Sequence, residues 1–336
     1  MIIIDDVLSD VNEFTKNAGS KARNDIIRIY SESQLLPVKI ESESKILSYL
    51  KFIQKILLSK KADIFLVQYP LYGIHPKFTS WIYTKLAKRK SILLIHDINS
   101  LRYTPDEKVA IKKEINVINK FKVIISHNEQ MTKWLKSNGM NSPVINLKIF
   151  DYLGEGVSVQ KRDYDVAYAG NLLFEKSKFI YQATENNPSL KFEFYGIEFD
   201  PSKVCTSNYT YQGSKDPEEL LSSFHSKFGL IWDGDSINGC TNCFGNYLKY
   251  NNPHKLSLYI SANIPVITWK HAAIASFVTE NNIGIVVDSL KNLDSILNNI
   301  TSEQYEVMLN NIKSLSTLLK QGEFTKQAVK KAEEYL

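Results

Sequence analysis

The stretch DYLGEGVSVQKRD, residues 151–163, decides how this chain is divided. Its glycines, serine and charges interrupt a regular alternation of short apolar runs and amphipathic segments. Before it come DIFLVQYP (63–70), SILLIHD (91–97), KVIISHN (122–128) and VINLKIF (144–150), with helical patterns at about 42–59, 77–88, 105–119 and 129–138. After it a second series begins: DVAYAGN (165–171), KFEFYGI (191–197), FGLIWDG (228–234), IPVITW (264–269) and IGIVVD (283–288). Helices fall between most of these, and two more, at about 302–320 and 323–336, close the chain. Hydrophobicity that is continuous rather than alternating marks strands covered by helices on both sheet faces, as in parallel sheets. The expected fold class is α/β, with two Rossmann-like domains facing each other across a cleft. The divisions are an N-terminal domain (1–150), a linker (151–163), a C-terminal domain (164–320) and a last helix (321–336) packing back on the N-terminal domain.

The totals limit the function classes. At 336 residues, 43% hydrophobic and 23% charged, the composition is that of a globular protein with room for two domains. The opening MIIIDDVLSD turns acidic after a four-residue apolar run, which is not the pattern of a signal peptide. No run approaches the about 18 apolar residues of a membrane span, so a cytoplasmic protein is expected. Three cysteines argue against a disulfide framework. Cys240 and Cys243 form a C-x-x-C, but no second pair completes a zinc site, and two reduced cysteines in a loop is the better reading. The net charge of +5 is uneven, with KK at 60–61, KLAKRK at 85–90 and KK at 112–113. Such runs are solvated faces or an attraction to anionic lipid head groups, here through Lys85, Lys88, Arg89 and Lys90. The aromatic-rich basic stripes of a nucleic-acid binder are absent.

In open α/β sheets ligands sit beyond the carboxyl ends of the strands. Nearly every strand here ends in polar residues: His96-Asp97, His127-Asn128, Gly170-Asn171, Tyr195-Gly196 and Trp232-Asp233-Gly234-Asp235. No G-x-G-x-x-G follows a strand and no G-x-x-x-x-G-K-S/T exists, so dinucleotide oxidoreductases and P-loop enzymes fit poorly. The run NNPHKLSLYISANIPVITW (251–269) places Asn252, His254 and Lys255 at the mouth of a short helix. It reads either as a turn, a helix start and a core strand, or as a helix N-terminus and a lysine that together hold an anion.

Longer strings are more specific. HDINSLR (96–102), IISHNEQMTKWL (124–135), KIFDYL (148–153), AGNL (169–172), FGLIWDGDS (228–236) and YLKYNNPHKLSLYIS (247–261) resemble the bacterial β-1,6-galactofuranosyltransferases of O-antigen and capsule assembly, and NAGSKARND (17–25) resembles their N-terminal segment. More distantly, the chain is similar to the glucosyltransferase that extends N-acetylglucosamine on serine-rich-repeat adhesins. That relative shares a lysine at the place of Lys255 but not the NNPH before it.

The resemblance implies a GT-B fold, an inverting mechanism, a UDP-galactofuranose donor and no obligatory metal or other cofactor. Departure of UDP without a metal needs fixed positive charge and N–H groups at the diphosphate. Lys255 and the helix starting near His254 supply them, beside Asn252. Gly170-Asn171 brings backbone close to the diphosphate or simply forms a strand-to-helix turn. Lys176 falls where the relatives carry a basic residue toward the nucleotide, and Tyr195-Gly196 borders the uracil unless the tyrosine is core. Trp232, Asp233 and Asp235 belong to a D-x-D string that is a metal signature in another glycosyltransferase architecture; here the carboxylates are expected on sugar hydroxyls or ordering the loop. The base that takes the acceptor proton is expected at Asp97, with His96 second, unless Asp97 caps the next helix. Gly19, Lys21 and Arg23 are candidates for the acceptor side. The E-x7-E signature for ribose and sugar is absent, so the ribose-binding group stays open, with Ser257 as one candidate. Expected partners are a UDP-hexose, a lipid-linked glycan acceptor, an anionic surface at the inner face of the membrane and a second copy in a homo-oligomer, but no nucleic acid. Competing readings are UDP-glucose or UDP-galactopyranose transfer to a protein-linked sugar, and a non-catalytic glycan-binding subunit.

Overall fold

The computed structural model describes residues 1–5, 18–37, 45–72, 75–155 and 161–336. The chain forms two compact units, Met1–Phe150 with Gly322–Leu336, and Asp151–Gln321. In the first unit the strands are β1 (Ile2–Asp5), β2 (Gln34–Pro37), β3 (Ile64–Tyr69), β4 (Lys90–Ile95), β5 (Val123–Ser126) and β6 (Val144–Asn146), arranged β2-β1-β3-β4-β5-β6 with every pair parallel. The second unit has β7 (Tyr164–Ala169), β8 (Phe192–Tyr195), β9 (Tyr209–Tyr211), β10 (Ser226–Ile231), β11 (Val266–Trp269) and β12 (Gly284–Val287), arranged β12-β11-β10-β7-β8-β9, again parallel.

The apolar runs explain these sheets. Phe65, Leu66, Val67, Ile92, Leu93, Leu94 and Ile95 are fully buried, so consecutive side chains leave water on opposite faces, each gaining roughly 1.5–3 kcal/mol. Counted from its own first strand, the second sheet has the doubly wound order 3-2-1-4-5-6, and its direction reverses between β7 and β10. The ends of those two strands carry Gly170-Asn171 and Trp232-Asp233.

The last helix, Glu323–Glu333, belongs to the first unit. Ala328, Val329 and Ala332 pack with Ala22, Leu94 and Ile125. Gly322, at φ 73, turns the chain into this helix against Ile29.

Two expectations need revision, and two strands carried no sequence signal. Part of the expected linker is packed structure: Tyr152 is 2% exposed, its hydroxyl donates to the Pro217 carbonyl at 2.9 Å, and its ring stacks on His254. Residues 156–160 of that linker lie outside the described residues. VINLKIF is strand only over Val144–Asn146, since Lys148 adopts a left-handed φ of 74. The edge strands β2 and β9 have four and three residues, too short for a periodic signal.

Candidate active site

Lys255 is the second residue of helix His254–Ser261, which starts after Pro253 without a side-chain cap. The first N–H groups of a helix have no intrahelical partner, so its mouth favours anions. The Lys255 ammonium lies 3.1 Å from Asp233 Oδ1, at the end of β10, and 3.3 Å from the Tyr168 hydroxyl on β7. It also sits 4.8 Å from the centre of the Tyr168 ring. The two ionic side chains keep 17% and 21% of their surface exposed, so the pair is accessible from one side. Burial works to lower the Lys255 pKa, but the Asp233 carboxylate raises it, and the net direction is upward. The ammonium therefore keeps its proton.

Two glycines form the floor. A side chain at Gly170 would crowd Lys255 Cε and the Tyr168 hydroxyl, at 3.2 and 3.1 Å from its Cβ. Gly196, at φ 147, lies so close to the Gly170 carbonyl that any Cβ would collide with it, while the Gly170 N–H donates to the Tyr195 carbonyl at 2.9 Å. Backbone is thus laid bare at the ends of β7 and β8. Below it, Tyr259 packs against Gly229, where a side chain would clash, and accepts a hydrogen bond from Ala169 N at 2.9 Å.

Several expected donor residues are committed elsewhere. Tyr195 is 2% exposed, and its hydroxyl donates to the Ser223 carbonyl at 2.5 Å and lies 2.6 Å from Glu193 Oε1, so it is core rather than a uracil platform. Trp232 is fully buried with Nε1 donating to the Ser236 carbonyl, and Ser257 is 1% exposed on the inner helix face. Neither can reach a donor. Asp235 bonds Thr241 and orders its loop. Asn171 pairs with Glu198 and accepts from Leu173 N at 2.9 Å, a turn that leads into the helix Phe174–Asn186. Asn252 is 4% exposed. His254 lies against Tyr152. Lys176 sits 5.0 Å over the Phe244 ring.

Cys240 is buried, which pushes its thiol pKa up, and Cys243 is exposed; both are free. Among the described residues no cluster of His, Cys, Asp and Glu is arranged to hold a metal.

In the first unit, Asp97 is ion-paired with Arg102 at 3.0 Å and remains 24% exposed. The next helix, Asn99–Tyr103, follows Ile98, whose side chain cannot cap it. Glu114 does so instead, accepting from Asn99 N at 3.0 Å and Ser100 N at 2.6 Å, and from the Tyr69 hydroxyl at 2.8 Å. His96 Nε2 is 2.7 Å from Gln68 Oε1 and its ring stacks on Phe150. Lys21 and Arg23 are both 6% exposed and ion-paired with Asp25 and Asp5, so the acceptor role expected of them gives way to a buried network. Gly19 is exposed in the first turn of helix Ala18–Ile29.

A cavity of about 430 Å³, which no sequence pattern announced, opens between Asn99–Tyr103 and Lys108–Ile118 and is lined by Tyr69, Asn99, Ser100, Tyr103 and Lys113. Tyr103 is 54% exposed, and the buried Ser100 hydroxyl has no hydrogen-bond partner. The sequence reading also missed Tyr168, whose position inside a strand gave no hint that it cradles Lys255.

Comparison with known proteins adds the following. Residues 6–149 match the model of the glucosyltransferase 3-like N-terminal domain, and residues 166–332 that of the glucosyltransferase 3-like C-terminal domain. The chain is 33% identical over 329 residues to the β-1,6-galactofuranosyltransferase WbbI of Escherichia coli K12, covering 94% of each. It is 27% identical over 252 residues to glucosyltransferase 3 of Streptococcus gordonii, covering 73% of this chain and 71% of the relative. Among solved structures, HepE from Anabaena in complex with UDP-glucose superposes with a TM-score of 0.62 over 99% of both chains at 12% identity. Trehalose-6-phosphate synthase OtsA gives 0.59 over 99% of this chain and 98% of its own at 10% identity. Those likenesses establish the fold, the GT-B type.

Proposed function

Because the chain belongs to the glucosyltransferase 3-like family of glycosyltransferases, we propose that it transfers galactofuranose from UDP-galactofuranose to a hydroxyl of a lipid-linked glycan, in a β-1,6 linkage with inversion, during cell-surface polysaccharide assembly. The observation that carries the donor half is the Lys255 ammonium over the bare Gly170–Gly196 backbone, at the point where the second sheet reverses direction. A diphosphate there meets a fixed positive charge and a helix N-terminus, the groups that stabilise charge growing on a leaving phosphate. The choice of galactofuranose rests on the 33% identity to the galactofuranosyltransferase over nearly the whole chain.

In the reaction the acceptor oxygen attacks the anomeric carbon and the bond from that carbon to the phosphate oxygen breaks. The electron pair leaves on the diphosphate beside Lys255, and the acceptor proton passes to a base. We assign the base to Asp97, which Arg102 holds by its side chain. The acceptor sugar is assigned to the cavity two residues further on, where Tyr103 offers a ring face and Ser100 an unused hydroxyl. No metal is assigned a role, so activity should persist in excess EDTA; loss restored by manganese or magnesium would move Asp233 and Asp235 into a metal site.

A second reading, UDP-glucose as donor with a protein-linked glycan as acceptor, is favoured by the likeness to streptococcal glucosyltransferase 3. UDP release by the purified protein, measured with UDP-galactofuranose, UDP-galactopyranose and UDP-glucose, separates the two. Preference for the furanose supports the first reading. Preference for UDP-glucose replaces it with the second.

A further inference from the structure

Helix Lys45–Leu58 buries Phe52 and Ile56 in the first unit, at 0% and 3% exposure. The opposite face of such a helix is ordinarily polar. Here it carries Leu50, Leu57 and Leu58, exposed by 55%, 65% and 74%. Their spacing, i, i+7 and i+8, places them along one stripe.

The surroundings of that stripe are basic. Arg89 ties the segment after the helix to the turn before β4. Its guanidinium donates to the carbonyls of Ser59 at 3.0 Å and Lys60 at 2.5 Å, and lies 5.4 Å from the centre of the Phe65 ring. The exposed Lys60 and Lys61 are therefore held beside a turn that carries Lys88 and Lys90, also exposed. On the neighbouring helix Pro76–Leu86, the Lys85 ammonium sits 5.7 Å over Trp81, which stacks on Phe78, and Phe78 meets Phe52 edge-on. Within 55–63 and 76–90 the one carboxylate is Asp63, and it is occupied by Lys60 N at 2.6 Å.

Exposed leucines with exposed lysines on the adjoining turns form a surface that neither water nor a purely ionic partner satisfies. A bilayer containing anionic phospholipid satisfies both: head-group phosphates take the ammonium groups and the acyl boundary takes the leucines. We propose that this face of the first unit rests on an anionic membrane surface, with Leu50, Leu57 and Leu58 entering the acyl boundary and Lys60, Lys61, Lys88 and Lys90 on the head groups. This deepens the reading of a lipid-linked acceptor, because it would bring the enzyme to the surface that carries one. Among the described residues no helix is long and apolar enough to cross a membrane, so the contact would be peripheral.

The test is flotation of the full chain with vesicles of phosphatidylcholine alone or mixed with phosphatidylglycerol. Binding to the mixed vesicles only is expected, and it should fall steeply in about 1 M salt, where the Debye length is about 3 Å. Lys60→Glu/Lys61→Glu/Lys88→Glu should lose about 100-fold or more in affinity, at roughly fivefold per lysine. Leu57→Ser/Leu58→Ser should lose about tenfold while keeping its salt sensitivity. Equal binding to both vesicle types, no binding to either, or unchanged binding by the lysine variant overturns the proposal. So does an oligomer that the leucine variant converts to monomer with vesicle binding intact, which would give the stripe to a second copy. Hydrolysis of the UDP-sugar in vesicle-free buffer should be the same for all these variants. Its absence from the wild-type protein would refute the transferase reading without bearing on the lipid result.

Discussion

Lys255 has Asp233 as its partner where a diphosphate is expected. A carboxylate 3.1 Å from the ammonium limits the cost of burying that charge, yet it also faces the incoming anion. Removing the lysine alone therefore leaves an unpaired negative charge at the donor site. Asp233→Asn in a Lys255→Ala background is expected to recover UDP affinity by about three- to tenfold over Lys255→Ala alone, a coupling that a double-mutant cycle reads directly. No recovery of UDP affinity would show that Asp233 does not face the phosphates. Since the pair holds the lysine pKa above its ordinary value, its charge is present at all lower pH and lost only as pH rises through the raised value. UDP affinity should accordingly show no lysine titration below about pH 10. For Asp97, Asp97→Asn keeps the shape and loses the basicity, so UDP affinity should hold while glycan transfer falls by about 10²–10⁴-fold. Normal transfer would pass the role to His96. The other histidine at a strand end, His127, is no substitute, because it is 1% exposed.

At the scale of elements, that burial has a consequence at the end of β5. His127 Nε2 is 3.1 Å from the Ile95 carbonyl, and burial lowers its pKa from 6.5 to about 4. A lowered folded-state value means stability present above pH about 6.5 and lost as pH falls toward about 4, with up to roughly 3 kcal/mol at stake. Urea titrations at several pH values should show that loss in wild type and a smaller one in His127→Gln; identical acid sensitivity would place its source elsewhere. Strands of this kind were legible because uninterrupted apolar runs have few other solutions. What was not legible is how their polar ends are spent. Asn171, Tyr195, Trp232 and Asp235 look alike in sequence to Asp233, as residues at or just beyond the end of a strand. Only tertiary packing gives Tyr195 to Ser223 and Glu193, and Trp232 to Ser236, while leaving Lys255 accessible.

At the scale of the whole molecule, the chain builds one unit, then the other, and returns to the first with Glu323–Glu333. The division near residue 150 could be read from a change in composition, and the doubly wound order of the second sheet then explains why the lysine after Pro253 matters: its helix connects β10 to β11, beside the reversal between β7 and β10. The cavity at Asn99–Tyr103 had no such signal, since it depends on Glu114 holding two helices by a carboxylate. The central claim is that this second unit binds a sugar nucleotide by its diphosphate through Lys255. Calorimetric titration of UDP into wild type and Lys255→Ala, each with its melting temperature recorded, tests it most directly. Affinity should fall by about 10- to 100-fold in a variant that still folds, in keeping with the roughly 1.5–3 kcal/mol of a charged hydrogen bond. A folded Lys255→Ala protein that binds UDP within about threefold of wild type, well below the loss of one charged hydrogen bond, would contradict it.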